Sequence, residues 1–133
     1  MALLNQDFVK FDYDTFQIKF TITDATTSLA SYRAWWGVSS AATGTTIVEK
    51  ATSGWSFPTF PGGGNTQIQM GISSVTVKLG QSDFGPLKLQ PNTTYYHELV
   101  LSSDGDEDTS VVVASGEFTV NPSLFTTDGN RPL

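Results

Sequence analysis

Residues 15–23, TFQIKFTIT, set Phe16, Ile18, Phe20 and Ile22 in alternation with Gln17, Lys19, Thr21 and Thr23. Successive side chains of an extended strand leave on opposite faces, so four full periods predict a strand with one buried and one wetted face. The next ordered stretch, SYRAWWGVS (31–39), puts Tyr32, Ala34, Trp36 and Val38 on one side and Arg33, Trp35 and Gly37 on the other. Trp36 is therefore expected in a core. Trp35 is expected on the outer face, where so large an apolar ring needs a reason to be.

The same period continues along the chain. TIVEKAT (46–52) reads as a short strand closing a hairpin with the tryptophan strand across the turn AATGT (41–45). TQIQMGI (66–72) and SVTVKL (74–79) place Ile68, Met70 and Ile72, then Val75, Val77 and Leu79, inward. After the turn-rich GQSDFGPLKLQPN (80–92), TTYYHELVL (93–101) carries Tyr95, His97, Leu99 and Leu101 on one face. An acidic turn, SSDGDEDTS (102–110), leads into SVVVASGEFTV (110–120), with Val112, Ala114, Gly116, Phe118 and Val120 expected inward. No segment has apolar residues at helical spacing over three turns. Seven to nine short strands with mostly neighbouring antiparallel pairs predict an all-β fold, an immunoglobulin-like antiparallel β-sandwich. A single domain over residues 1–133 is expected, with extended arms at about 1–8 and 121–133.

Composition excludes several functions. Charged residues make up 15% of the 133, below the usual quarter or so, as in many β-proteins. Thirteen acidic against seven basic side chains give a net charge of −6, which repels phosphate backbones and anionic bilayers, so neither nucleic acid nor membrane is an expected partner. With no cysteine, disulfides, thiolate metal sites and cysteine nucleophiles are out. The opening MALLNQDFVKF lacks the basic and apolar regions of a secretory leader, which predicts a chain made in the cytoplasm.

Catalytic and metal-binding patterns are weak. Asp104, Asp106 and Asp108 resemble the first half of a calcium loop, but Thr109 stands where the loop glycine belongs and Ser115 where the closing glutamate belongs. His97, the one histidine, lies on the apolar phase of its strand and reads as a satisfied core or interface residue, with no G-x-S-x-G nucleophile to serve. Glu49, Glu98 and Glu117 fall on polar phases, and nothing in the sequence pairs them as glycosidase carboxylates. The sequon Asn92-Thr93-Thr94 reads as a turn before a strand. An enzyme is not expected, nor is any cofactor. What stands out is aromatic excess: outward Trp35, and Trp55, Phe57 and Phe60 in the Pro/Gly stretch SGWSFPTFPGGGNT (53–66), which no strand ladder would tolerate. Such rings stack on sugars, with Asn65, Gln67 and Gln69 as polar partners, anchor protein interfaces, or fold over a sheet as a satellite core.

The strand DTFQIKFTITD (14–24), the strand TTYYHELVL, the acidic turn and SVVVASGEFTV together resemble the N-terminal β-sandwich domain of tailed-phage baseplate proteins and related phage virion proteins. The shared marks are a D-T-F start, a Y-x-x-E-L strand and a terminal G-x-F-x-V strand, covering residues 14–23 and about 91–120. The resemblance implies Phe16, Tyr95, Leu99 and Phe118 as core positions. It also implies a non-enzymatic virion component that packs against copies of itself or other virion proteins. Expected without an attached coiled coil or receptor-binding head, the chain fits a decoration protein on the capsid surface as well as a tail or baseplate part. Trp35, Trp55, Phe57 and Phe60 are the expected contact residues. A carbohydrate-binding module using the same rings is the alternative.

Overall fold

In the computed structural model, residues 6–11, 15–22, 28–41, 44, 46–52, 68–85, 87–104 and 106–122 are described. Their eight strands are β1 (Phe8–Phe11), β2 (Phe16–Thr21), β3 (Arg33–Ser39), β4 (Thr46–Ala51), β5 (Ile68–Met70), β6 (Ser74–Leu79), β7 (Thr93–Ser102) and β8 (Val111–Asn121). They form a five-stranded sheet in the order β1-β8-β7-β3-β4 and a three-stranded sheet in the order β2-β6-β5. Among the described residues the helical content is two single 3₁₀ turns, and no helix is long and apolar enough to cross a membrane.

Alternation places the core. Phe20, Ile22, Trp36, Val38, Val75, Val77, Leu79, Tyr95, Leu99 and Phe118 belong to one buried cluster drawn from both sheets. All strand pairs are antiparallel except one: β1 runs parallel to β8, in register from Phe8 opposite Phe118 to Phe11 opposite Asn121. Parallel strands cannot be joined by a hairpin, and here they are the first and last strands of the described chain.

Two details mark the sandwich as immunoglobulin-like. Trp36 on β3 is fully buried, the place of the tryptophan in that fold. Tyr95, near the start of β7, accepts a hydrogen bond at its hydroxyl from the Gln90 amide 2.8 Å away, the corner that ties this strand to the preceding loop. The loop turns through Asn92 in the left-handed region, φ 59°, which asparagine tolerates better than most side chains.

The β8 pattern departs from simple alternation. The ladder slips between Leu99 and Val100, so that Leu99 faces Ala114 while Val100 faces Val112. The extra residue, Val113, is buried, and Val112, expected inward, is exposed instead. A bulge shifts the phase by one residue, and the run of three valines gives no signal of where it falls.

Lys50 lies on the inner face of β4, opposite Trp36, and its ammonium meets Asp83 Oδ1 at 2.8 Å. Asp83 Oδ2 also accepts the Gly80 amide at 3.0 Å, so the carboxylate closes the turn that leaves β6. Both residues are buried, and the pair links one sheet to the other. Removing one partner strands a charge in an apolar setting, at a cost of about 3–5 kcal/mol, whereas replacing both with apolar side chains is often neutral. Asp83→Ala should therefore lower the urea-unfolding free energy by about that amount, and Lys50→Met combined with Asp83→Leu should recover most of it.

Candidate functional site

The outer face of the five-stranded sheet holds the chemistry. Strand registers align its residues in rows: Ala51, Trp35, Val100 and Val112; then Glu49, Gly37, Glu98 and Ser115; then Tyr96 and Glu117. Asp7, just before β1, joins this last row by accepting the Glu117 amide at Oδ1, 2.8 Å away.

Trp35 leaves the sheet on the face opposite Trp36, as the strand period requires. It does not stand free. Only 7% of it is exposed, and it clusters with Ala51 and Val100. The indole folds over Gly37: a Cβ on that residue would sit 2.2 Å from the ring. Glu49 fixes the ring, accepting the indole Nε1–H at 3.2 Å through Oε2 and the Thr46 hydroxyl through Oε1. The expected exposed anchor is thus corrected to a clamped wall, because a glycine neighbour lets the ring lie down and a carboxylate holds it there. The other three expected contact residues, Trp55, Phe57 and Phe60, lie outside the described residues, as do 1–5 and 123–133 of the expected arms.

Beside the clamped ring a cleft of about 720 Å³ opens, within the size range of ligand sites. Trp35, Gly37 and Tyr96 shape it, and Asp7, Glu98 and Glu117 supply charge, with no lysine or arginine among the described residues of its lining. These three carboxylates are exposed, as is 41% of Tyr96. In the sequence Glu98 and Glu117 are polar-phase residues that nothing pairs, and Asp7 carries no signal. Cross-strand register brings them together, and register is invisible in a single strand's pattern.

His97 lies behind this face, buried in the core. Trp36 Nε1–H can only donate, so Nδ1 of His97 accepts it at 3.2 Å, and the neutral ring carries its proton on Nε2, which donates to the Gln6 carbonyl at 2.5 Å. Residues 6–8 are therefore docked against β7 and β8. Gln6 donates its amide to the Ser115 carbonyl at 2.8 Å, and Phe8 packs 4.7 Å from His97 and 4.8 Å from Phe118 between ring centroids. Gly116 permits the approach, since a Cβ there would fall 2.5 Å from the Gln6 oxygen.

The acidic turn is internally satisfied. Asp104 Oδ1 accepts the Thr109 hydroxyl at 2.5 Å, the Asp106 amide at 3.0 Å and the Ser102 hydroxyl at 3.2 Å. The Thr109 hydrogen bond, above all, holds the Asp104 carboxyl below its usual range. Among the described residues, no three His, Cys, Asp or Glu side chains converge on a point where they could share a metal ion. Compared with known proteins, the chain matches no protein family and no characterised protein.

Two outcomes follow from this geometry. Gly37→Ala should expel the indole from its seat, destabilising the fold by about 1–3 kcal/mol and shifting tryptophan emission to the red. Burial holds the His97 pKa below its ordinary value, against the opposing pull of the Gln6 carbonyl and the Asp7 charge. The unfolded chain, titrating near 6.5, then binds the proton first, so stability is level above about pH 7 and falls as the pH drops through 6.5. Urea midpoints at pH 8 and pH 5.5 test this, and the part of the drop due to His97 should vanish in His97→Gln.

Proposed function

We propose that the protein is a non-enzymatic structural component of a phage virion, attached to the capsid surface or to the tail and baseplate and working as one of many copies on the particle. Attachment is the function, and the outer face of the five-stranded sheet is its main surface. The observation that carries this reading is the exposure on that face of Val9, at 56%, and Phe11, at 51%, on a short edge strand that β8 separates from the strand of Tyr96. Apolar side chains gathered on one face mark a surface that meets another macromolecule.

Two further points support the reading. The residues of the phage resemblance fall in one body: Phe16 meets Phe118 edge-on at 6.1 Å, Tyr95 lies 6.5 Å from Phe118, and Leu99 is fully buried beside them. Two of the groups weighed for catalysis are tied up in structure, while Glu98 and Glu117 stay exposed in the cleft. His97 spends both nitrogens on Trp36 and Gln6, and Glu49 spends both oxygens on Trp35 and Thr46.

A carbohydrate-binding reading has one observation in its favour, Tyr96 at the rim of the cleft with Ser39 and Ser115 nearby. Against it, the larger ring, Trp35, is clamped and offers a sugar almost no open face.

Mass spectrometry of purified virions of the encoding phage should find the chain among the stoichiometric proteins, and its absence would overturn the reading. Added back to particles made without it, the protein should co-sediment. Phe11→Ser or Trp55→Ala should weaken that binding by about thirtyfold, the loss of an anchor worth about 2 kcal/mol. A saccharide-dependent quench of tryptophan emission would favour the carbohydrate reading instead.

A further inference from the structure

We infer that the outer face of the five-stranded sheet takes an extended segment of a partner protein that places a lysine or arginine in the Trp35–Tyr96 cleft and an apolar side chain on Val9 and Phe11. This rests on the attachment reading and specifies the partner's chemistry.

Charge gives the first half. Asp7, Glu98 and Glu117 border the cleft, with no cation among the described residues of its lining, so their field favours a positive group. The carboxylates do not converge tightly enough to share a metal ion, which suits a spread guanidinium, or an ammonium on a long stem, better than a point charge. Tyr96 and the rim of Trp35 add aromatic surface of the kind cations favour. A pyranose would need an open ring face, and Trp35, at 7% exposure, does not give one.

The apolar strip gives the second half, independently of charge. Asp7, Val9 and Phe11 follow one another at alternate positions. Asp7 hooks the amide of Glu117, while Val9 pairs with Thr119 and Phe11 with Asn121, so all three share the outer face. At about 3.3 Å per residue, Phe11 lies roughly 13 Å from the Asp7 row. An extended partner lying along β1 covers that span with four residues, its residues i and i+4 face the same way, and the long basic side chain reaches sideways over β8 toward Tyr96 on β7. The fitting pattern is therefore a basic residue followed or preceded, four positions away, by an apolar one. A free inorganic or organic cation would leave the strip uncovered, which is why the occupant is a polypeptide.

The probe is the synthetic peptide acetyl-Arg-Ser-Thr-Ser-Leu-amide, together with the reversed order, titrated into the isotope-labelled full chain and followed by amide chemical shifts. One of the two should give saturable shifts at Gly37, Tyr96, Glu98 and Glu117 and at Val9 and Phe11. Affinity should fall at least tenfold when the peptide arginine becomes glutamate, and likewise in Glu98→Gln with Glu117→Gln. The peptide change leaves the protein untouched, so a folding defect cannot mimic it. Half-molar salt should also weaken binding, because exposed charges are then screened within a few ångströms. Absence of shifts at about 5 mM peptide, above the range of a millimolar contact, would overturn the inference. So would equal binding of the glutamate peptide, shifts at the same amides from a neutral maltooligosaccharide, or self-association that occupies the cleft with a second copy. Peptide binding by a chain absent from virions would sink the virion reading alone. Incorporation into virions with a silent cleft would sink only this inference.

Discussion

One hydrogen bond in the core ties together most of what this fold does. Trp36 donates to Nδ1 of His97, and that choice fixes the histidine as the neutral tautomer with its remaining proton aimed at the Gln6 carbonyl. The imidazole also lies 5.9 Å from the Phe20 ring of the opposite sheet. His97 follows Tyr95 by two residues, the position at which immunoglobulin domains carry the second cysteine of their inter-sheet bridge. In a chain without cysteine, a set of rings joined by a hydrogen bond stands where the covalent pin would be. Its hold depends on the histidine staying neutral, since a second proton on Nδ1 would face the indole N–H.

That arrangement reaches the surface through the N-terminal segment. With Gln6 held by His97, Asp7 falls where it can take the Glu117 amide, and β1 continues in parallel register along β8. The edge strand delivers a carboxylate to the cleft and two exposed apolar side chains beside it. Gly116 makes room for this approach, and Gly37 makes room for the indole on the neighbouring part of the face. Two residues without side chains thus create the relief of an otherwise flat sheet. Core and face are parts of one arrangement, because the residue that seals the core also seats the strand that furnishes the face.

The buried Lys50–Asp83 pair plays a separate part. It joins β4 to the turn after β6 at a place where the apolar cluster leaves a charged residue pointing inward. A lysine on the same phase as Val48 in TIVEKAT was the available hint that β4 would need a buried anion. The sequence contained no hint that Asp83 would supply it, since the two lie 33 residues apart and meet only when the sheets pack.

Strand period alone determined the two-faced strands, the inward place of Trp36 and the opposite direction of Trp35. It also placed His97 on the apolar side, because each of these follows from the two-residue repeat of an extended backbone. Phe16, Tyr95, Leu99 and Phe118 likewise lie in the packed interior or against it. Whether Trp35 would be open or covered was not legible, because that depends on the glycine beneath it and on a glutamate from another strand. The parallel seating of β1, the bulge at Val113 and the gathering of Asp7, Glu98 and Glu117 were hidden for the same reason. Each arises from register between segments distant in sequence, and a local repeat specifies which face a side chain takes without specifying which neighbours it meets there.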